Sequence, residues 1–251
     1  MPKIGASAIW TRVRARMGDP AAQHALADSL RPLDLAAAIA WYRKAARGGH
    51  VGAQAMLAFL LANGVGVPAN PRAAVAWYRR AAAQGDVGAQ NNLGYMLEQG
   101  AGLPRDPARA AGWYRLAALQ GSATAQVNVA LLLLDGRGVA RDEVQAVAWL
   151  RRAAVQGNMA GQFRLALCLS QGVGVPRDPV EAARWFEAAA RQGDREAAEA
   201  LHALRAAGAA QKPADPQATL SDSAQDGDET AEEWPPPPAP GTAVWVENDR
   251  R

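Results

Sequence analysis

The sequence predicts an all-α chain, an α-solenoid of tandem helical hairpins followed by a disordered tail, and three observations carry that prediction. Trp77, Trp113, Trp149 and Trp185 stand 36 residues apart, as do Gly49, Gly85, Gly121, Gly157 and Gly193. A fixed period of about 20 to 50 residues marks an array in which each unit is one supersecondary element that cannot bury its apolar face alone. The composition is 49% hydrophobic but only 6% aromatic, rich in alanine and poor in β-branched runs, which favours helix over strand. Each unit also carries two glycine stops, so one unit is two helices.

Residues 8–23 align without a gap on residues 75–90, placing Trp10 on Trp77, Gly18 on Gly85 and Gln23 on Gln90. Residues 1–17 are therefore the second helix of a half repeat. Its Ile9, Trp10, Val13 and Met17 form an apolar stripe with arginines on the other side, read as an N-terminal capping helix rather than a membrane anchor. The next unit, 18–48, is short, because the interval from Gln23 to Trp41 is 18 residues where later units have 23. The glycine turn is lost, and SLRPLD supplies Pro32 as breaker and Asp34 as N-cap.

Four full units follow, at 49–84, 85–120, 121–156 and 157–192. Each opens on glycine and then His50, Asp86, Ser122 or Asn158, and the last three are strong N-cap types. The first helix ends at Gly64, Gly100, Gly136 or Gly172, each read as a left-handed C′ residue. The turns NGVGVPANP, QGAGLPRDP, DGRGVARDE and QGVGVPRDP then place Asn70, Asp106, Asp142 and Asp178 as caps of the second helix. Residues 193–208 read as a capping helix, whose Glu196, Glu199 and Arg205 give the polar outer face a terminal repeat needs.

Residues 209–251 are rich in proline, serine and acids, and are expected to be disordered. Nine acids there against three bases leave −6, so the rest of the chain carries +9 of the overall +3. Trp234 and Trp245 are off the repeat register and belong either to a solubilising linker or to a short docking motif. Cys168 is the single cysteine, which fits a reducing compartment. With no continuous apolar leader and no run of about 18 apolar residues, a soluble cytoplasmic protein is expected.

The recurring A-Q-x-x-L-G/A, N/Q-G-x-G-V-P-x-D-P and A-x-W-Y-R-x-A-A-x-Q-G patterns resemble the Sel-one-like repeat (SLR), a branch of the tetratricopeptide (TPR) superfamily, over about residues 8–207. Leucines (Leu61, Leu97, Leu133, Leu169) replace that family's aromatic late in the first helix, and its small glycine survives only as Gly94, with Ala58, Ala130 and Ala166 elsewhere. The resemblance implies a right-handed superhelix acting as an adaptor or scaffold, with no shared catalytic site or cofactor. The residues agree. His24, His50 and His202 lie in different units without metal-ligand spacing, Cys168 has no histidine in its pattern, and the GVGVP turns are inter-helix connections rather than phosphate loops.

Trp10, Trp41, Trp77, Trp113, Trp149 and Trp185 hold one helical position and are expected to fill the space between hairpins. Trp113→Ala is accordingly expected to destabilise by about 3 to 5 kcal/mol. By analogy with the TPR hairpin, the first helices line the concave face. The candidate partner-binding residues are those just after each glutamine: Ala55, Met56 and Phe59; Asn91, Asn92 and Tyr95; Val127, Asn128 and Leu131; Phe163, Arg164 and Leu167. Phe59, Tyr95, Leu131 and Leu167 form an apolar ladder beside Asn92, Asn128 and Arg164, which either grip a partner peptide or are merely solvated and packed. A protein partner is the leading expectation. The alternative is a nucleic-acid-associated role for the basic body, with the acidic tail limiting non-specific binding; an enzyme with a cryptic site stands third.

Overall fold

A computed structural model describes residues 6–210, so the tail and its two tryptophans lie outside the described residues. Twelve helices follow one another there, without a strand. The odd-numbered ones carry the tryptophans: α1 (Ala6–Arg16), α3 (Leu35–Arg47), α5 (Pro71–Ala83), α7 (Pro107–Leu119), α9 (Glu143–Val155) and α11 (Pro179–Arg191). The even-numbered ones are the first helices of their units: α2 (Pro20–Leu30), α4 (Val51–Asn63), α6 (Val87–Gln99), α8 (Ala123–Asp135), α10 (Met159–Gln171) and α12 (Arg195–Ala210). Each helix packs on its neighbours in sequence, which stacks the hairpins as two layers. The even-numbered helices form one layer, called the inner one here after the sequence expectation, and α8 and α10 touch directly within it.

Local chemistry sets the boundaries. Asp86, Ser122 and Asn158 each accept a hydrogen bond from an amide in the first turn of α6, α8 or α10, and His50 does the same for α4 through Nδ1. Asp34, Asn70, Asp106, Asp142 and Asp178 cap α3, α5, α7, α9 and α11. Gly64, Gly100, Gly136 and Gly172 close the inner helices at φ between 63° and 75°, the left-handed region that favours glycine.

The second glycine of each turn has a different purpose, one between units. A Cβ on Gly102 or Gly138 would lie 2.4 Å from the backbone carbon of Pro71 or Pro107 at the start of the preceding odd helix. The turn of one unit thus seats on the helix start of the unit before it. Only a residue without a side chain permits that approach.

From Trp41 on, the tryptophans pack between core clusters of successive hairpins, and the residue after each one, which the sequence expectation did not name, is buried with them at the joint. Tyr42, Tyr78, Tyr114, Leu150 and Phe186, one position after each tryptophan, are the buried ones. Trp41, Trp77, Trp113 and Trp185 are half-buried, Trp149 is buried, and Trp10 is 66% exposed. Lys44, Arg80 and Arg152 lie over the rings of Trp41, Trp77 and Trp149, 4.3 to 4.7 Å from their centroids. These tryptophans cover the edge of the joint and hold a cation on the outer surface. A step of one residue turns a side chain by about 100° around the helix, enough to exchange core for rim.

A glutamine ladder ties the units together. Gln23, Gln54, Gln90, Gln126 and Gln162 are buried, and each donates from Nε2 to the carbonyl eight residues earlier, at 3.1 to 3.3 Å. The last four also accept from Gln84, Gln120, Gln156 and Gln192 at 2.7 or 2.8 Å. The first unit lacks this second bond because Gly48 replaces the outer glutamine, and a Cβ there would come within 2.7 Å of Pro20. Burying a primary amide is tolerable only because these partners are supplied.

Candidate interaction face of the even-numbered helices

Taking each buried glutamine as origin, the residues one, two, five and eight positions later, buried Val127 excepted, share the solvent side of the inner helices. Read along the stack, this face changes character. In the first unit it holds a polar cluster: the rings of His24 and His50 stack at 4.3 Å, His24 Nδ1 lies 3.2 Å from Asp28 Oδ2, and the Tyr42 hydroxyl donates to Asp28 Oδ1 at 2.5 Å. Two histidines read as scattered are therefore brought together by adjacent units. His50 has its pKa lowered by burial and then by His24, consistent with a neutral ring whose Nδ1 caps α4. Burial and the bond to Asp28 push the Tyr42 phenol well above its usual value.

The second and third units present the aromatics. Phe59 is 46% and Tyr95 56% exposed, at equivalent positions of α4 and α6. Met56 is half-buried beside Phe59, with Arg31 Nη1 3.7 Å from its sulfur, and Ala55 is also half-buried. Asn91, Asn92 and Asn128 are half-buried and linked: Asn128 Nδ2 donates to Asn91 Oδ1 at 3.0 Å, Asn91 Nδ2 to Asn92 Oδ1 at 3.5 Å, and Asn92 Nδ2 to the Tyr78 hydroxyl at 3.2 Å. Burial holds that phenol up at about 12. The amides form a relay across α6 and α8, so they are not simply solvated.

Farther along, the ladder recedes into the surface. Leu131 and Leu167 are half-buried, and Phe163 packs its ring 5.9 Å from that of Phe186. Arg164 is exposed. Val127 is buried and belongs to the core, which removes it from the candidate set. Its neighbour along the helix, Asn128, stays at the surface.

Sequence reasoning missed Glu98. It accepts from the Tyr114 hydroxyl at 2.9 Å and from Arg137 Nη1 at 2.5 Å, and Arg137 also meets Asp135 at 3.0 Å. These residues sit on α6, α7 and the turn after α8, so an inner-face charge network spans two units. Four variable positions had to be read together to find it.

Charge separates by layer. Helices α1, α3, α5 and α7 contain eleven Arg or Lys and no acid, whereas α2, α4, α6 and α8 contain three acids and no Arg or Lys. Many remaining acids are N-caps, facing helix-end amides. This separation holds for α1–α8; α9 and α11 carry Glu143, Glu181 and Glu187 beside their arginines, and α10 carries Arg164.

Cys168 is buried, and burial pushes its thiol up, away from the thiolate a nucleophile needs. No group of three or more His, Cys, Asp or Glu among the described residues is placed to hold a metal ion, and none of the described helices is long and apolar enough to cross a membrane.

Two solved structures share this architecture. The c5321 protective antigen of uropathogenic Escherichia coli strains, described as displaying an SLR fold, is 32% identical with a TM-score of 0.75; the match covers 80% of this chain and 44% of that one, so the chain spans under half its length. A Sel1 repeat protein from Oxalobacter formigenes is 30% identical with a TM-score of 0.72, over 80% of this chain and 82% of that one. No curated protein sequence matches the chain. The Sel1 repeat matches five times in succession, at residues 20–50, 51–86, 87–122, 123–158 and 160–194. Proteins built from this repeat generally mediate protein–protein interactions. The chain belongs to the Sel1 repeat family, with α1 and α12 lying outside the matched repeats.

Proposed function

We propose that the chain is a non-catalytic cytoplasmic adaptor that holds an extended peptide or a helix of a partner protein along the inner face. The observation that carries the reading is the pair of exposed aromatics, Phe59 and Tyr95, standing in register on successive units beside the linked amides of Asn91, Asn92 and Asn128. Aromatic anchors with adjoining amides suit a ligand whose side chains need pockets and whose backbone needs hydrogen bonds. Asp28 near one end and Arg164 near the other give the face a direction. Met56, Leu131, Phe163 and Leu167 supply the apolar floor between them.

The test is quantitative co-purification from native cells with wild type, with Phe59→Ser/Tyr95→Ser and with Asn92→Ala/Asn128→Ala, helicity being checked for each. Loss of the same partner from both variants at unchanged helicity is expected. Full recovery by both would sink the proposal.

A second reading follows from the acid-free outer helices α1, α3, α5 and α7: this layer contacts the phosphates of a nucleic acid. Binding to a duplex that falls steeply between 50 and 200 mM salt, and that ignores the inner-face substitutions, would favour it. The cations held over Trp41, Trp77 and Trp149 weigh against it, since those rings are engaged edge and face and do not stand ready to stack on bases.

A further inference from the structure

We propose that the outward face of α1 is a docking site for the chain's own C-terminal segment, residues 226–249. The starting point is an apolar patch in the wrong place. Ile9 is 53% exposed, Trp10 66%, Val13 38% and Met17 81%. On a helix these four fall within an arc of about 100°, and buried Ala15 lies on the opposite side. The helix thus packs on α2 through small residues and turns its apolar stripe away from the stack.

Packing of repeats accounts for Trp10, whose equivalents Trp41, Trp77, Trp113, Trp149 and Trp185 are half-buried or buried in the array, but not for Ile9 and Met17 at the two edges of the stripe. The positions equivalent to Ile9 are Ala40, Ala76, Gly112, Ala148 and Arg184, and all are exposed inside the array. Those equivalent to Met17 are Gly48, Gln84, Gln120, Gln156 and Gln192, again all exposed. Another hairpin stacked on α1 would leave these sites in solvent, as it does in every internal unit. Helix α12 at the other end turns Glu196, Glu199, His202 and Arg205 outward. The apolar face is therefore peculiar to α1 and calls for a cover of its own.

Charge chooses the cover. Arg12, Arg14 and Arg16 flank the stripe with no acid on the helix, and the nearest acid, Asp19, is already paired with Arg14 and caps α2. A second copy applied symmetrically would bring two such arginine sets together, which is unfavourable. The complementary ligand is acidic and apolar at once. Residues 226–249 fit that description: DGDETAEEW ends on Trp234, and AVWVEND surrounds Trp245. Trp10 of the stripe, with Thr11, Arg14, Ala21, Ala22 and Ala25, lines an open groove between α1 and α2.

Reach permits the contact within one chain. From Ala210 to Trp234 is 24 residues, at most about 80 Å of chain. Six stacked layers at 8 to 10 Å each span about 50 Å. Tethering raises the local concentration of the segment towards the millimolar range, so an interface of four apolar side chains and a few ion pairs is sufficient.

The experiment uses the full-length chain and a fluorescent peptide of residues 211–251. Trp234→Ala/Trp245→Ala in the chain vacates the site. The peptide is expected to bind this variant at micromolar concentration by anisotropy, and wild type at least tenfold more weakly. Adding Val13→Asp/Met17→Asp, or the charge-only pair Arg12→Glu/Arg16→Glu, is expected to weaken binding at least tenfold with an unchanged far-UV spectrum. The proposal is overturned if the peptide does not bind the vacated chain, or if it binds equally after the α1 substitutions. Two further results overturn it by naming another cover: phosphatidylserine vesicles that capture the chain through α1 while the peptide does not bind, or a dimer that the α1 substitutions alone dissolve.

Discussion

Gly94→Ala is the most informative substitution in the stack, because two effects of opposite sign meet at one atom. In mid-helix the change gains about 1 kcal/mol of helix propensity. At this site, however, the new Cβ would lie 2.8 Å from Cδ1 and Cε1 of Tyr114 and 3.1 Å from Cγ. Carbon atoms in contact prefer about 3.5 to 4.0 Å, and the ring is fully buried with its hydroxyl fixed on Glu98 at 2.9 Å. Either the ring rotates and loses that bond, or α6 and α7 separate. Overpacking of this kind costs about 1 to 3 kcal/mol, so steric strain wins and the substitution destabilises by about 1 kcal/mol. The preceding unit holds Ala58 with a buried Tyr78 at the same two positions and the next holds Ala130 with Leu150, so the cost at Gly94 is set by how closely Tyr114 approaches α6 here. Tyr114→Leu alone loses the ring and its hydrogen bond; in the Gly94→Ala background it also relieves the clash, so the double-mutant cycle should show favourable coupling of about 1 to 3 kcal/mol. Urea and thermal midpoints of the four proteins measure this. A stabilised Gly94→Ala protein, or simple additivity, would refute the packing argument.

Other outcomes follow from the same geometry. Tyr114→Ala should destabilise by about 3 to 5 kcal/mol and Trp113→Ala by clearly less, the reverse of what side-chain size alone suggests, as read by urea midpoints. Gln126→Leu removes a donor bond and an acceptor bond and should cost about 1 to 2 kcal/mol, whereas Gln23→Leu removes only the former and should cost about half as much; equal losses would deny the Gln156-to-Gln126 bond a stabilising role. The lowered pKa of His50 means that the unfolded chain takes up the proton first, so this residue's contribution to stability is complete above its ordinary 6.5 and declines as pH falls below it. His50→Asn, which keeps a cap without titrating, should flatten the melting temperature between pH 7 and 5.5; an unchanged slope would place the sensitivity elsewhere.

Helix boundaries were legible because their causes are local. Asp86, Ser122 and Asn158 each act on an amide three residues away, and Gly64 or Gly100 needs only its own φ. Rotational phase was not, because a helix packed on neighbours at both sides has apolar residues over much of its circumference. Trp113 and Tyr114 are adjacent, and periodicity does not say which one faces the joint. The glutamines were visible as a register, but the register alone does not show that they are buried. The signal that would have found the ladder is the recurring Gln-Gly-x4-Gln spacing of Gln84 with Gln90 and of Gln120 with Gln126. It places a second amide one unit-step from each buried one.

The candidate face was legible only in outline, for a reason built into repeats. Equivalent positions suggested a row of Asn92, Asn128 and Arg164, but the bond that forms joins Asn128 to Asn91, residues at non-equivalent positions 37 apart. Stacked units are offset, so side chains meet their neighbours along a diagonal. The same offset brings Arg137 of one turn to Glu98 of an earlier helix and lays the His50 ring on His24. Period fixes what each unit shares: caps, glycines, the joint residue and the buried glutamine. Specificity lies in contacts between unlike positions of successive units, and those emerge only once the stacking offset is known. An inner-face substitution should therefore be felt one unit away from its own. Asn91→Ala removes a partner from both Asn128 and Asn92, the latter keeping its bond to Tyr78, which makes this residue, outside the equivalent row, the one that joins the two ends of the amide relay.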